Sequence, residues 1–355
     1  MPSPVYGAIL CAGYGSRMRP FTDVLPKPLL PFLNTPIITY ALHHLANASI
    51  STVGINICHL ADTVPPIVNP IARMLGLQPV YAREWEMLGT AGGVRGIRDA
   101  LALHDAAISS QGAKLVVMNG DSVMNLDLST HIEAHRAQRA LVSLLVRPKA
   151  ENQPGSVWID REKGIIVRIR DHVHPLYRDA GHHLTEEYDF AGVHILDTSL
   201  IDRLKLEQGD IITELYGPMI EAGEAIHATI TTDFWAAIDN PELYMETTRQ
   251  CLDDPALFAQ NPAAQAAHNG LAILNGDTID DAAQFKAPIF TGAQVEIAAN
   301  ARIGSHVVLD GVEVAPETRI SNAVLYGMGR VEGEWRDCVA MLGKVAAVSE
   351  LLGER

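Results

Sequence analysis

Eight runs of six to eight mostly apolar residues punctuate the first 250 positions of this chain, with helical stretches between them. The runs are VYGAILCA (5–12), TVGINIC (52–58), KLVVMNGD (114–121), LVSLLV (141–146), GSVWID (155–160), IIVRIR (165–170), FAGVHILD (190–197) and AIHATITT (225–232). Helical patterns cover residues 36–48, 93–104, 129–139, 199–205 and 241–252. Apolar strands alternating with helices predict an α/β fold, with a mainly parallel sheet covered on both faces. Ligands of such sheets bind at the carboxyl ends of the strands. A glycine turn follows the first strand directly, in GAILCAGYGSRMRPFTDVLPKPLLPF (7–32).

That turn has a chemistry of its own. A strand ending in Gly-x-Gly aims backbone N–H groups outward, and Gly13 and Gly15 lack the Cβ atoms that would hold an anion away. Arg17 follows two residues later, where its guanidinium can fork onto phosphate oxygens. Lys27 stands between Pro26 and Pro28, which restrict where its ammonium can go. The pattern is neither GxxxxGK[ST] nor GxGxxG, because Met18 occupies the third glycine position. Over the whole chain 42 acidic residues outnumber 27 basic ones, a formal charge of −15. Such a balance argues against nucleic acid or an anionic membrane as partner. Arg17, Arg19 and Lys27, with only Asp23 among them, therefore call for a local anion.

The remainder gives the domain plan. A length of 355 residues suggests two domains, or one large domain with an appendage. Residues 253–285, rich in Ala, Asn and Asp, read as a partly helical connector. Six-residue steps follow as IAANAR (297–302), IGSHVV (303–308), VAPETR (314–319) and ISNAVL (320–325), with a five-residue slip after the second. This spacing predicts a short hexapeptide β-helix, suited to packing against a second copy. Residues 1–252 are thus expected to form the main domain, 286–345 the β-helix and 346–355 a tail. Cys11, Cys58, Cys251 and Cys338 form no CxxC pair and read as reduced thiols. MPSPVYGAIL lacks a basic leader, and no apolar run approaches 18 residues, so a cytoplasmic location is expected.

G-x-G-x-R-M-R-P-x-T followed by P-K-P-L-L-P, within residues 12–31, resembles the signature of the sugar-phosphate nucleotidylyltransferases. LGTAGG (88–93) resembles that family's nucleobase loop, and NGD (119–121) the end of its central strand. PGSV (154–157) and FAGVHIL (190–196) resemble its sugar-side segments, and DIITELYGPMIEAGEAIHA (210–228) the run before its last metal segment. The arrangement looks most like mannose-1-phosphate guanylyltransferases with a C-terminal left-handed β-helix. The resemblance implies a Rossmann-like sheet and attack of a sugar 1-phosphate on the α-phosphorus of a nucleoside triphosphate, releasing pyrophosphate. The nucleophile is already an anion, so catalysis is alignment and charge neutralisation. By the same resemblance Arg17, Lys27 and Asp121 are catalytic. Leu10, Ala12, Gly13, Gly15, Arg17, Glu84, Gly89 and Thr90 bind the nucleotide, and Gly155, Asp171 and Gly192 the sugar. Magnesium would be held by Asp121 and Asp239, and the β-helix would join subunits of a homo-oligomer.

Glu84 lies five residues before Gly89, and a carboxylate complements the N1–H and N2–H₂ edge of guanine; Glu86 competes for that role. Two departures stand out. Relatives carry Trp-x-Asp-x-Gly-Thr/Gln-Pro at the second metal segment, whereas FWAAIDNPELY (234–244) puts Ala237 at the aspartate and Asp239 at the glycine. Residues 237 and 239 are expected on one strand face, about 6.5 Å apart, with Asp233 as an alternative ligand. In RIRDHV (168–173), Asp171 and His172 stand where relatives have Glu-Lys-Pro. These departures leave two other readings open: a silent regulatory homologue that binds nucleotide sugars, and a hexapeptide acyltransferase, with His306 as base, behind a degenerate head.

Overall fold

The computed structural model describes residues 3–151, 153–178, 185–204, 208–258, 271–272 and 278–348. The chain divides into two units that it enters repeatedly. The first comprises Met1–Gly13, Ile38–Ser122 and Leu126–Trp235; the second comprises Tyr14–Ile37, Val123–Asn125 and Ala236–Arg355.

In the first unit VYGAIL forms β1 (Val5–Leu10). The elements α1 (Ile38–Asn47), β2 (Thr52–Ile57), α2 (Val64–Met74), β3 (Gln78–Arg83), α3 (Gly89–His104), β4 (Lys114–Asn119) and α4 (Leu128–Ala137) follow. After them come β5 (Val142–Pro148), β6 (Val157–Asp160), β7 (Ile165–Ile169), β8 (His172–Val173), β9 (Glu186–Asp197), α5 (Gly217–Glu221) and β10 (His227–Ile230). The strand order is β8-β7-β10-β5-β9-β4-β1-β2-β3, with β6 paired to β7 and β9.

Only the half β4-β1-β2-β3 is uniformly parallel. β9 runs antiparallel to both β4 and β5, and β6 and β7 form a hairpin, so the sheet is more mixed than the sequence suggests. The reason lies in the connections. Parallel neighbours need a long crossover, usually a helix, whereas a short link such as that between β6 and β7 joins antiparallel neighbours.

Both faces of the parallel half are covered. A Cβ on Gly7 would meet Leu45 of α1 at 2.8 Å, and one on Gly54 would meet Ile97 of α3 at 2.3 Å. Gly54 is registered with Ala8 and not with Gly7, so the two helices lie on opposite faces. Tyr6, Ala8, Ile97, Leu101, Leu115 and Val117 belong to one buried cluster on the α3 side.

The sequence reading overlooks α2 and β3. Pro65 and Pro66 obscure α2, yet both lie in its first turn, where a missing N–H costs nothing. Residues 198–203, expected as a regular helix, form a 3₁₀ turn.

The second unit gathers the signature segment with the C-terminal third of the chain. Three 3₁₀ turns (Ser16–Met18, Phe21–Asp23 and Lys27–Leu29) lead into a hairpin of Pro31–Phe32 with Thr35–Pro36. Helix α6 (Pro241–Asp253) packs there: Tyr244 donates its hydroxyl proton to the Pro31 carbonyl and stacks edge-on against Phe32 at 5.4 Å. Beyond it lies a parallel ladder with its own core of Ile289, Ile297, Ile303, Val307, Val314, Ile320 and Leu325.

Ile289 pairs with Val307, Thr278 with Glu296 and Gln284 with Arg302, each eighteen positions on. The strands Thr278–Ile279 and Gln284–Phe285 belong to this ladder although the sequence reads them as connector. Later rungs shorten: Val307 pairs with Ala323 and Val324 with Val339. An antiparallel strand, Lys344–Ala347, closes the ladder where a tail is expected; residues 349–355 lie outside the described residues.

Candidate active site

At the carboxyl end of β1 the first unit is held by buried hydrogen bonds. The Cys11 N–H donates to Asn56 Oδ1 at 2.7 Å, and Asn56 Nδ2 donates to Glu84 Oε1 at 2.7 Å. The Leu88 N–H donates to Glu84 Oε2 at 3.0 Å. Asn56 and Glu84 are 3% and 5% exposed, so the relay is sealed from water. It fixes the turn after β1 against the loop that leads into α3. Asn56 escapes the sequence reading, and its one signal is an amide inside the apolar run TVGINIC. Glu84, expected to read guanine, uses one lone pair on each oxygen internally, which leaves only its outer lone pairs for a base. Glu86 is exposed.

The expected phosphate turn begins beside this relay. Leu10 is partly buried, Ala12 is buried and Gly13 is exposed, with nothing within 4 Å of where a Cβ would stand. Burial pushes the Cys11 thiol up to about 12, with Asp121 adding to the shift, so it stays a neutral, inert thiol. The Gly120 N–H donates to the Leu10 carbonyl at 3.0 Å, which holds the partly buried Asp121 at the end of β4 beside the end of β1.

The start of α3 is tied down. The Ala91 N–H donates to the Gly209 carbonyl at 2.9 Å, and the Ile211 N–H donates to Thr90 Oγ1 at 2.8 Å. A Cβ on Gly89 would strike the Gly209 carbonyl at 2.4 Å. Gly89 and Thr90, expected at the nucleotide, thus also dock the 209–211 segment. Asp210 gathers that region: it accepts from Arg170 Nη1 at 2.8 Å and caps the Ile212 N–H at 3.0 Å. Neither Arg170 nor Asp210 stands out in the sequence.

The sugar-side residues have strong local roles. Gly192, at φ 70°, sits where the pairing of β9 shifts between Phe190 and His194, a conformation that glycine tolerates. Gly155 packs under β9, where a Cβ would lie 2.7 Å from the Tyr188 carbonyl. Asp171 is exposed at the tip of the β7–β8 hairpin. His172 Nδ1 lies 2.8 Å from Glu221 Oε1.

The second unit carries the charges. Gly15 adopts φ 59°, and a Cβ there would come within 2.9 Å of both Lys27 and Thr22. Lys27 is only 6% exposed, packed among buried Pro26, Pro28 and Leu29. Its Nζ lies 2.7 Å from Asp239 Oδ1, and Arg17 Nη2 lies 3.1 Å from the same oxygen. Arg19 instead pairs with Asp23 at 3.1 Å. His306, the acyl-transfer base of one reading, lies 2.9 Å from Asp253 Oδ1.

These contacts bear on metal binding. The strand Trp235–Ala237 ends before residue 239, because Asn240 caps α6 and Pro241 opens it. Ala237 and Asp239 therefore do not share a strand face; Asp239, expected at magnesium, lies against Lys27 and Arg17. Asp233, the alternative ligand, is exposed and accepts from Thr231 Oγ1 at 2.8 Å. Among the described residues no group of three or more His, Cys, Asp or Glu side chains converges on a metal position. One carboxylate, Asp121, fits an ion that brings substrate phosphates as its other ligands.

The first unit thus places a glycine and an acid at the carboxyl ends of adjacent parallel strands, and the second unit holds its own cation cluster. Comparison with known proteins names the class: residues 6–254 match the nucleotidyl transferase family model, and the chain belongs to that family. It is 27% identical to a probable mannose-1-phosphate guanylyltransferase 2 of Arabidopsis thaliana, over 95% of this chain and 90% of that one. It is likewise 27% identical to a mannose-1-phosphate guanylyltransferase of Mycobacterium tuberculosis, over 92% of this chain and 81% of that protein. A UTP–glucose-1-phosphate uridylyltransferase of Synechocystis is 24% identical over 91% and 83%. Among the described residues no helix is long and apolar enough to cross a membrane.

Proposed function

We propose that this chain transfers a nucleotidyl group from a nucleoside triphosphate to a sugar 1-phosphate, with GTP and mannose 1-phosphate as the leading pair. The observation that carries this reading is the buried Lys27 ammonium with Arg17 beside it, in an acidic chain that belongs to the nucleotidyl transferase family. Two polyanions react only where fixed cations offset their repulsion. Gly13 leaves room for phosphate oxygens at the end of β1, Arg17 takes the leaving pyrophosphate, and Lys27 takes the α-phosphate and sugar phosphate. Leu10, Ala12, Gly15, Glu84, Gly89 and Thr90 serve the nucleotide, and Gly155, Asp171 and Gly192 the sugar. Enzymes of this family generally use a divalent metal. Asp121 would hold magnesium with the triphosphate, and the ion would neutralise developing charge.

The ladder's eighteen-residue rungs equal three six-residue steps, which supports a short β-helix that joins two copies. Four cysteines, all present as thiols, support a reducing, cytoplasmic setting. A second reading, the silent nucleotide-sugar-binding homologue, is favoured by Ala237 together with the ion-paired Asp239.

A matrix of nucleoside triphosphates against sugar 1-phosphates, with magnesium and pyrophosphate release as readout, separates the two. Turnover with one pair supports transfer. No turnover anywhere, with tight nucleotide-sugar binding, supports the regulatory reading.

A further inference from the structure

We infer that the first unit carries a second anion site, for a phosphate group, at the edge of the sheet opposite Asp121. A cavity of about 320 Å³ lies there, lined on its polar side by Ser3, Lys114, His135, Arg136 and Arg139. Among the described residues no carboxylate lines it. Its volume falls within the range of small-molecule sites. Lys114 opens β4, and five steps of about 3.3 Å separate it from Asn119 at the other end. Substrates of an α/β sheet gather at the carboxyl ends, so this cavity is separate from the site already described.

The end of α4 brings the cations together. His135 and Arg136 stand in its last turn, and Arg139 follows at φ 49°. A helix C-terminus normally repels an anion through its open carbonyls. Here the Gln138, Arg139 and Ala140 N–H groups donate to the Ala134, Arg136 and His135 carbonyls at 3.0, 3.0 and 3.1 Å. Two carboxylates border the cavity without lining it. Asp197 accepts from Lys114 at 3.0 Å, and Glu133 lines an adjoining hollow that shares Arg136. They temper the positive charge and leave His135 Nε2 still without an acceptor.

His135 supplies the independent observation. It is 1% exposed, and its Nδ1 lies 2.8 Å from Ser143 Oγ of β5. Its Nε2 is buried with no hydrogen-bond partner. When the Ser143 hydroxyl donates to Nδ1, the ring proton lies on Nε2 as a donor. A buried N–H with no acceptor costs free energy, and an oxyanion in the cavity supplies the acceptor. The guanidinium forks match the other oxygens of a phosphate group.

Calorimetry of the full chain with inorganic phosphate, in the presence of a chelator, tests this. Phosphate can also meet Arg17 and Lys27, so the readout is the binding event that a variant loses. Replacing both arginines, Arg136→Gln with Arg139→Gln, should weaken one event at least about tenfold. His135→Phe keeps the cations and removes one N–H, and should weaken the same event about tenfold. Superimposable titrations of the wild type and the arginine variant overturn the inference. Glycerol phosphate titrated separately distinguishes a phosphomonoester from the free anion as the tighter ligand, and binding of neither overturns the inference.

Wild-type crystals grown with phosphate supply the measurement if the variants do not fold. A phosphate oxygen within about 3.2 Å of His135 Nε2 supports the site. Phosphate found only at Arg17 and Lys27 overturns it. None of the residues used here belongs to the proposed transferase site, so loss of that activity leaves this inference standing.

Discussion

Asn56 in the first unit and Lys27 in the second are nearly equally sealed from water, at 3% and 6% exposure, yet they are held in different ways. Asn56 makes hydrogen bonds with Cys11 and Glu84, and its own donor and acceptor are both used. Lys27 faces a full negative charge on a side chain that can turn toward water. A buried relay whose bonds are already made gains nothing by opening, because any ligand would have to replace them. The difference is between two ways of holding a buried polar group: the first unit fixes a loop with hydrogen bonds, and the second sets an ammonium against a carboxylate.

The largest test removes that charge. Lys27→Ala should lower turnover at least about a hundredfold, as loss of a fixed transition-state ligand does. Pyrophosphate release at saturating substrates checks this, and a change confined to KM would demote Lys27 to ground-state binding. Asp121→Ala should cost about as much, again in kcat. In the first unit, Asn56→Ala leaves the Cys11 N–H and a Glu84 oxygen without a buried partner. It should cost about 1–3 kcal/mol of unfolding free energy in urea titration, with a smaller effect on kcat than on nucleotide KM. Equal losses in kcat for Asn56 and Lys27 would erase the distinction between the units.

A third test uses acid. Burial, with Lys114 nearby, pulls His135 from 6.5 down to about 4. The unfolded chain then binds more protons between those values, so stability present above 6.5 is lost as pH falls toward 4. Thermal melting at pH 7 and pH 5 should show a drop that shrinks in His135→Phe; an identical drop in both would mean the ring protonates freely where it stands. The smallest effect concerns Ala237→Asp. It should tighten manganese binding a few-fold by adding one carboxylate, followed by calorimetry with the nonreactive pair of protein and ion alone. An unchanged affinity would mean that residue 237 does not face the ion.

Much of the first unit was legible because its signals are local. Alternation of apolar runs with helices gives strands near their observed places, and Gly15 had to be glycine for a turn that needs φ 59°. What failed did so for physical causes. Pro65 and Pro66 of α2 read as breakers although the first turn of a helix tolerates them, and Pro70 stands inside the helix. The antiparallel half of the sheet depends on connection length and not on any one strand's composition. The strand face expected to be shared by Ala237 and Asp239 is absent because strand periodicity was carried past Ala237, where the cap of α6 had already ended the strand.

By itself the sequence determined that this chain folds as α/β, carries a phosphate-type turn with Arg17 and Lys27, and ends in repeats of six. Each of these depends on residues close together in the chain, where backbone geometry and spacing leave few alternatives. Tertiary structure alone decided which acid meets Lys27, 212 residues away, and that residues 14–37 group with the C-terminal third. It likewise decided that Asn56 joins Cys11 to Glu84. A long-range contact depends on how separate segments pack together, and short-range patterns carry no record of that.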